Sequence, residues 1–309
     1  MNVAIFGGTG YLGSHLADAL VSHGHHPVLS VRPSSKRNLP ESDRYRIVAG
    51  DSLDGDTMRL AISRSEAVIY NVGILREFPR RGISFRSLQY EKARDAMDIA
   101  TELGVRRFVL TSANGVKPDG TAYQRTKYLA ERHLWASDLA GTVFRPSVIF
   151  GDPRGHMEFA TQLYNEIILD PLPAPLFYEG SLRHAKPGTF RLSPIHVKDV
   201  ARIYAKALTD PDAIGKTWSL CGPDALEWRE IIRIIGRAVG RDKRTLPVPV
   251  SGLKTAIRLF GRFRALPVTA DQLTMLMEGN TGDSSAVFKT YGIRPIPFGE
   301  KTLSYLSRL

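Results

Sequence analysis

Cysteine is almost absent: Cys221 is the only one among 309 residues. An internal disulfide is thereby excluded, and the chain is expected in a reducing compartment. No apolar run approaches the roughly 20 residues that a membrane-spanning helix needs. No leader-type segment precedes the first apolar strand, so the protein is expected to be soluble and cytoplasmic. Cysteine and histidine at zinc spacing are missing, as are RNA-binding signatures, so neither a metal site nor a nucleic-acid partner is expected. His23, His25 and His26 crowd the end of the first helix, where imidazole suits the negative end of the dipole. Acid is in the minority: 31 Asp and Glu face 42 Lys and Arg, for a formal charge of +11. Such a field favours anionic partners. Its local concentrations are residues 76–86, 241–244 and 254–264.

Glycine, by contrast, is concentrated where the chain begins. The apolar residues Val3, Ala4, Ile5 and Phe6 run into Gly7, Gly8, Gly10 and Gly13, and Leu12, Leu16, Ala19 and Leu20 then recur at helical spacing. Strand, glycine turn and helix in that order form the phosphate-binding start of a dinucleotide fold. Gly7 and Gly8 serve the tight turn, Gly10 the approach of a pyrophosphate, and Gly13 the packing of helix on strand. Thr9, Tyr11 and Leu12 complete this set of candidate cofactor contacts. The helix N-terminus offers N–H groups and a positive dipole end to the phosphates.

Further short strands alternate with helices: strands over 26–32, 45–50, 67–72, 105–110 and 142–150, and helices over 57–62, 87–103 and 121–137. The alternation predicts an α/β fold with a doubly wound parallel sheet. Ligands of such sheets lie beyond the carboxyl ends of the strands, where Gly10, Arg32, Asp51 and the run Asn71, Val72, Gly73 all fall. The acid that would bind a ribose 2′-hydroxyl after the second strand is missing. Arg32, Ser34, Ser35, Lys36 and Arg37 stand there instead. A guanidinium and hydroxyls accommodate a 2′-phosphate, so NADP(H) is expected over NAD(H).

Tyr123 and Lys127 lie four apart near a helix start, hence on one face. An ammonium beside a phenol stabilises the phenolate, and the same lysine can hydrogen-bond a cofactor ribose. The tyrosine can then act as acid toward a carbonyl oxygen as hydride arrives. Ser112, at the end of the preceding strand, is the candidate ligand of that oxygen.

These motifs, with Gly50-Asp51, Thr111-Ser112-Ala113, Arg145-Pro-Ser-Val-Ile-Phe-Gly151 and Pro194-Ile-His-Val-Lys-Asp-Val200, resemble the short-chain dehydrogenase/reductase superfamily in its extended or atypical branch, over nearly the whole chain. Within that branch the chain looks most like the group that includes the NADPH-binding accessory subunit of respiratory complex I. The resemblance implies a Rossmann-type sheet with a smaller C-terminal substrate lobe. It places Asp51 and Ser52 near the adenine, and Pro146, Ser147, Val148 and Ile149 along the nicotinamide. Thr111 and Lys127 join the cofactor set. The spacing of Ser112 and Tyr123, eleven positions, is shorter than in most extended members.

The expected domains are 1–150, dinucleotide-binding with a contribution from 189–220, and 151–309, mainly the substrate lobe. Asp199 is expected to cap a helix within 189–208. Three functions follow from these features: an oxidoreductase with an unidentified small-molecule substrate, a non-catalytic NADPH-binding scaffold or assembly protein of a respiratory complex, or a sugar-nucleotide epimerase or dehydratase. Residues 254–264 in the basic C-terminal lobe can form an amphipathic helix. Such a helix either packs in its own lobe or provides peripheral association with a membrane or an acidic complex.

Overall fold

Val3, Ala4, Ile5 and Phe6 are buried to within a per cent of completely, as a central strand covered on both faces must be. The computed structural model describes residues 1–31, 44–181, 183–252 and 269–309. The chain forms two compact units. Unit 1 is Met1–Pro146, Val197–Leu220 and Ser284–Arg294, and unit 2 is Ser147–His196, Cys221–Asp283 and Pro295–Leu309.

Unit 1 is built on seven strands: β1 (Asn2–Phe6), β2 (His26–Val31), β3 (Arg46–Ala49), β4 (Ala67–Tyr70), β5 (Arg107–Thr111), β6 (Ala140–Pro146) and β11 (Thr217–Leu220). They form one parallel sheet ordered β11-β6-β5-β4-β1-β2-β3. Helices flank it: α1 (Tyr11–Ser22), α2 (Gly55–Ser63), α3 (Lys92–Glu102), α4 (Ala122–Ala136) and α6 (Val197–Ala207). The expected doubly wound Rossmann-type α/β sheet is present. Strand order reverses between β1 and β4, so the crevice at their carboxyl ends is the switch point where such sheets bind ligands. Ala4 and Phe6 share one apolar cluster with Met58 of α2, Met97 of α3 and Leu134 of α4. Val3 and Ile5 point to the opposite face.

Arg107 locks the far end of the sheet. Its guanidinium is buried and donates to Ala207 O at 2.7 Å, Leu208 O at 2.9 Å, Ala140 O at 2.8 Å and Thr142 Oγ1 at 2.9 Å. It thereby satisfies the last carbonyls of α6, which a helix end otherwise leaves without partners. Burial pushes its pKa down to about 10, so it remains charged at neutral pH. Arg107→Ala is expected to destabilise unit 1 by about 2–4 kcal/mol, because several buried acceptors lose their donor together. Urea unfolding with a wild-type midpoint in the variant would show that water replaces the guanidinium without cost.

Three elements differ from expectation. The strand expected over 142–150 stops at Pro146, which has no N–H with which to extend the ladder. The chain then re-forms β7 (Ile149–Phe150) in a different sheet, paired with β10 (Ile195–His196). The single helix expected over 87–103 opens as a wide π-turn, Arg86–Glu91, before α3. That turn lets Leu88 O accept from Tyr70 Oη at 2.6 Å and aims Gln89 Nε2 at Ile74 O at 2.8 Å. Asp199 lies inside the first turn of α6 and is wholly buried, not at the cap.

Unit 2 is a smaller assembly of two-stranded pieces, β7 with β10, β9 (Arg191–Leu192) with β12 (Leu226–Glu227), and β8 (Ala174–Tyr178) with β13 (Thr245–Pro249). A short helix, α5 (Phe159–Leu163), starts at Glu158, whose carboxylate accepts from Ala160 N at 2.8 Å and Thr161 N at 2.6 Å. The amphipathic helix α7 (Trp228–Ala238) buries Trp228, Ile231, Ile232 and Ile235. The Trp228 ring lies between Phe177 and Phe190, with centroids 6.3 and 5.6 Å away, and its Nε1 donates to Pro175 O at 2.8 Å.

Candidate functional site: a dinucleotide cradle beside a buried lysine

The glycine turn is defined by close backbone approach. Gly7 has φ +80°, and a Cβ there would lie 2.7 Å from Asn71 O, the first residue beyond β4. A Cβ on Gly13 would overlap Gly7 O and lie 2.7 Å from Gly8 Cα. Gly13 therefore seats α1 on the turn itself, more than on the strand. At Gly10, the N-cap of α1, an added Cβ would meet only Gly7 O at 3.3 Å. Gly10 has no side chain to cap the helix, and the first turn of α1 carries no acid. This positive helix end is therefore left for an anion.

Lys127, on α4, is almost fully buried, and its Nζ donates to Thr111 O at 2.7 Å and Val72 O at 3.3 Å. It thus bridges the carboxyl ends of β5 and β4. A Cβ on Gly73 would meet nothing except this ammonium, at 3.6 Å. Burial lowers the lysine pKa to about 8, with the Glu131 carboxylate pulling the other way. Tyr123 is half-buried, its ring edge-on to Phe85 with centroids 5.7 Å apart. Burial pushes the phenol up to about 12. A downward shift from the neighbouring ammonium is the sequence expectation; desolvation is the cause that prevails in the folded chain.

The hydroxyl of Ser112 is engaged elsewhere. It donates to Glu131 Oε1, and Arg145 holds the same carboxylate in a fork, Nε to Oε1 at 2.9 Å and Nη2 to Oε2 at 2.5 Å. Glu131 is four residues beyond Lys127, so Tyr123, Lys127 and Glu131 form one stripe along α4. That periodicity was available in the sequence to find Glu131. Nothing local announces Gln89, whose side chain joins Ile74 O to Thr126 Oγ1 at 2.8 and 3.1 Å.

The structure therefore brings together Gly7, Thr9, Gly10, Tyr11, Leu12 and Gly13 with Asn71, Val72, Gly73, Thr111, Tyr123 and Lys127 at the strand ends of unit 1. Thr111 Oγ1 accepts from Tyr204 Oη at 2.9 Å, which turns the threonine hydroxyl toward the core. Asp51 and Ser52 follow the edge strand β3, and Asp51 Oδ1 accepts from Leu53 N at 3.1 Å. Pro146 ends β6, and its carbonyl accepts from Asn114 N at 2.9 Å. Ser147, Val148 and Ile149 belong to unit 2, where Ser147 Oγ donates to Asn280 O at 3.1 Å. Arg32, Ser34, Ser35, Lys36 and Arg37, and the basic run 254–264, lie outside the described residues.

Comparison with known proteins agrees with this geometry. The family model described as NAD(P)H-binding matches residues 7–166, from the first glycine of the turn into the first segment of unit 2. The chain belongs to this NAD(P)H-binding family. Subunit 9 of the NADH dehydrogenase (ubiquinone) 1 alpha subcomplex from Mus musculus is 25% identical over 313 residues, covering 98% of this chain and 79% of that protein. A ceramide reductase from Caulobacter vibrioides is 26% identical over 267 residues, covering 86% of this chain and 80% of its own. Among solved structures, the UDP-glucose 4-epimerase of Thermus thermophilus in complex with NAD superposes with a TM-score of 0.73 at 17% identity, over 100% of this chain and 99% of that one. Among the described residues of this NAD(P)H-binding chain, no helix is long and apolar enough to cross a membrane.

Proposed function

We propose that the chain is an NADP(H)-dependent oxidoreductase acting on a carbonyl or hydroxyl group, or on an activated double bond. The observation that carries this reading is the Lys127 ammonium, buried at the ends of β4 and β5, facing Gly73 and one helical turn from Tyr123. The glycine cradle fits a pyrophosphate, since Gly10 leaves open the space that a side chain would fill. When bound, a nicotinamide dinucleotide supplies or accepts the hydride. Lys127 holds the ribose hydroxyls and stabilises the phenolate that remains once Tyr123 has released its proton. Tyr123, with its pKa raised, keeps that proton at neutral pH and gives it to the substrate oxygen. Ser112 spends its own proton on Glu131, so it serves a substrate hydroxyl as an acceptor in this arrangement. Asp51 and Ser52 serve the adenosine end, and Pro146 the nicotinamide end.

A second reading has its own support. The relatives from respiratory complex I cover almost this whole chain, and a bound dinucleotide can stabilise a scaffold by mass action without turning over. Association would then run through the basic C-terminal lobe. A third, epimerase or dehydratase chemistry, draws on the epimerase likeness of the fold. Identifying the dinucleotide that co-purifies and assaying NADPH oxidation against a broad carbonyl panel separates the three. Steady oxidation supports the reductase. Retained cofactor with no turnover on carbonyls or nucleotide sugars sinks it in favour of the scaffold, and isomerisation of a nucleotide sugar without net oxidation favours the epimerase.

The preference for NADP(H) rests on Arg32, Ser34, Ser35 and Lys36 after β2 and on the missing acid. Arg32→Ala is expected to weaken NADPH about tenfold or more, as loss of a charge-assisted phosphate contact does, while NADH changes little. Parallel fluorescence titrations measure both; equal losses would refute the 2′-phosphate role.

A further inference from the structure

Beyond β4 the chain leaves the cradle through Asn71, Val72 and Gly73 and folds a small projecting hairpin. Phe78 and Ile83 pair across it, Phe78 N to Ile83 O at 2.8 Å and Ile83 N to Phe78 O at 3.3 Å. The tip is the 3-10 turn Pro79–Arg81, closed by Gly82 at φ +67°. This ordered tip presents apolar side chains to solvent: Leu75 is 57% exposed and Phe78 46%. Arg76, Arg80 and Arg81 are exposed around them and form no ion pair among the described residues. The single acid of residues 71–86, Glu77, is turned to the base of the hairpin, where its Oε1 accepts from Phe85 N at 2.8 Å. Arg86 is engaged with Glu91 at 2.8 Å. The outward side chains are thus three guanidinium groups with no ion pair among the described residues, together with an exposed leucine and phenylalanine.

We propose that this hairpin is an anchor for an anionic lipid surface, with Leu75 and Phe78 entering the headgroup–acyl boundary and Arg76, Arg80 and Arg81 on lipid phosphates. Charge complementarity selects an anionic partner, and the exposed apolar pair selects one with an apolar interior beneath its charge. An acidic protein fits less well. A specific protein interface buries at least about 1,000 Å² in total and needs a surface of matching shape. Lipid demands no shape complementarity, and each basic side chain near an anionic surface adds to the attraction. Such anchoring requires no catalysis by the chain.

Flotation of the full chain with phosphatidylcholine vesicles, and with vesicles holding about 30 mol% phosphatidylglycerol, tests it. Binding to the anionic vesicles is expected to exceed binding to the neutral ones at least about tenfold and to weaken in about 0.5 M salt. R76Q/R80Q/R81Q is expected to lower it at least about tenfold with the thermal midpoint and NADPH affinity unchanged. The indole of F78W should shift to the blue and be quenched by brominated acyl chains. Wild-type flotation of the triple variant would overturn the proposal, as would an indole unshifted on bound vesicles, since the chain then docks by another face. A blue shift with soluble polyglutamate in place of vesicles would overturn it in favour of an acidic protein.

Discussion

Gly13→Ala is expected to lower NADPH affinity more than about a hundredfold, a loss of about 2.7 kcal/mol, and to reduce the stability of unit 1. The added methyl would overlap Gly7 O and crowd Gly8 Cα at 2.7 Å. Both neighbours are backbone, with no flexible side chain that could swing away. The turn and α1 must separate, and that separation displaces the helix end proposed to hold the phosphates. Gly10→Ala makes the informative contrast. Its methyl meets only Gly7 O at 3.3 Å, so the ligand-free fold should keep its thermal midpoint while NADPH binding is lost. Thermal melts and NADPH titrations on the two variants separate a packing role from a ligand-approach role. Wild-type affinity in both would remove the glycine turn from the cofactor site.

Tyr123→Phe is expected to reduce turnover by about two to four orders of magnitude, the range for loss of a positioned acid, with the NADPH dissociation constant within about twofold of wild type. The ring remains to pack on Phe85, so the fold should not change. The pH dependence follows from the two shifted groups. Tyr123, raised to about 12, holds its proton throughout the working range. Lys127 is lowered from 10.5 to about 8, so its ammonium is complete well below pH 8 and lost as pH rises through 8. The kcat/KM for carbonyl reduction is therefore expected to be level from about pH 6 to 7 and to fall above about 8, with NADPH affinity falling in parallel. A limb that rises through pH 8 would contradict the lysine assignment. Undiminished turnover in the Phe variant would leave cofactor binding intact as a property and remove the tyrosine from the chemistry.

Much of unit 1 was legible because its signals are local. Glycines at fixed offsets, an apolar strand before them and a helical stripe after them all act within one strand–turn–helix. The four-residue spacing of Tyr123 and Lys127 likewise needs only helix geometry to become a shared face. The direction of the Tyr123 shift was not legible. Sequence shows the ammonium that would lower the pKa, but the opposing desolvation depends on Phe85, brought from a distant stretch of the chain. Ser112 shows the same limit. From its position after β5 it reads as a substrate ligand, whereas in the folded chain the Glu131 carboxylate on α4, itself held by Arg145 from β6, accepts its proton.

By itself, then, the sequence determined the parallel α/β sheet, the glycine turn and the placing of Tyr123 and Lys127 one turn apart on α4, because each is written in a short-range period or a backbone requirement. Only the tertiary structure decided which groups have partners. Arg107 was a charge on a strand until the carbonyls of Ala207, the last residue of α6, and of Leu208 just beyond it arrived, 100 and 101 positions later. Ser284–Arg294 returns to unit 1 without any periodic signal, where Tyr291 Oη donates to Asp210 at 2.9 Å. Leu75 and Phe78 read as ordinary apolar residues until the hairpin turned them outward beside three arginines. Burial and charge pairing are sums over neighbours distant in sequence, and no local pattern contains that sum.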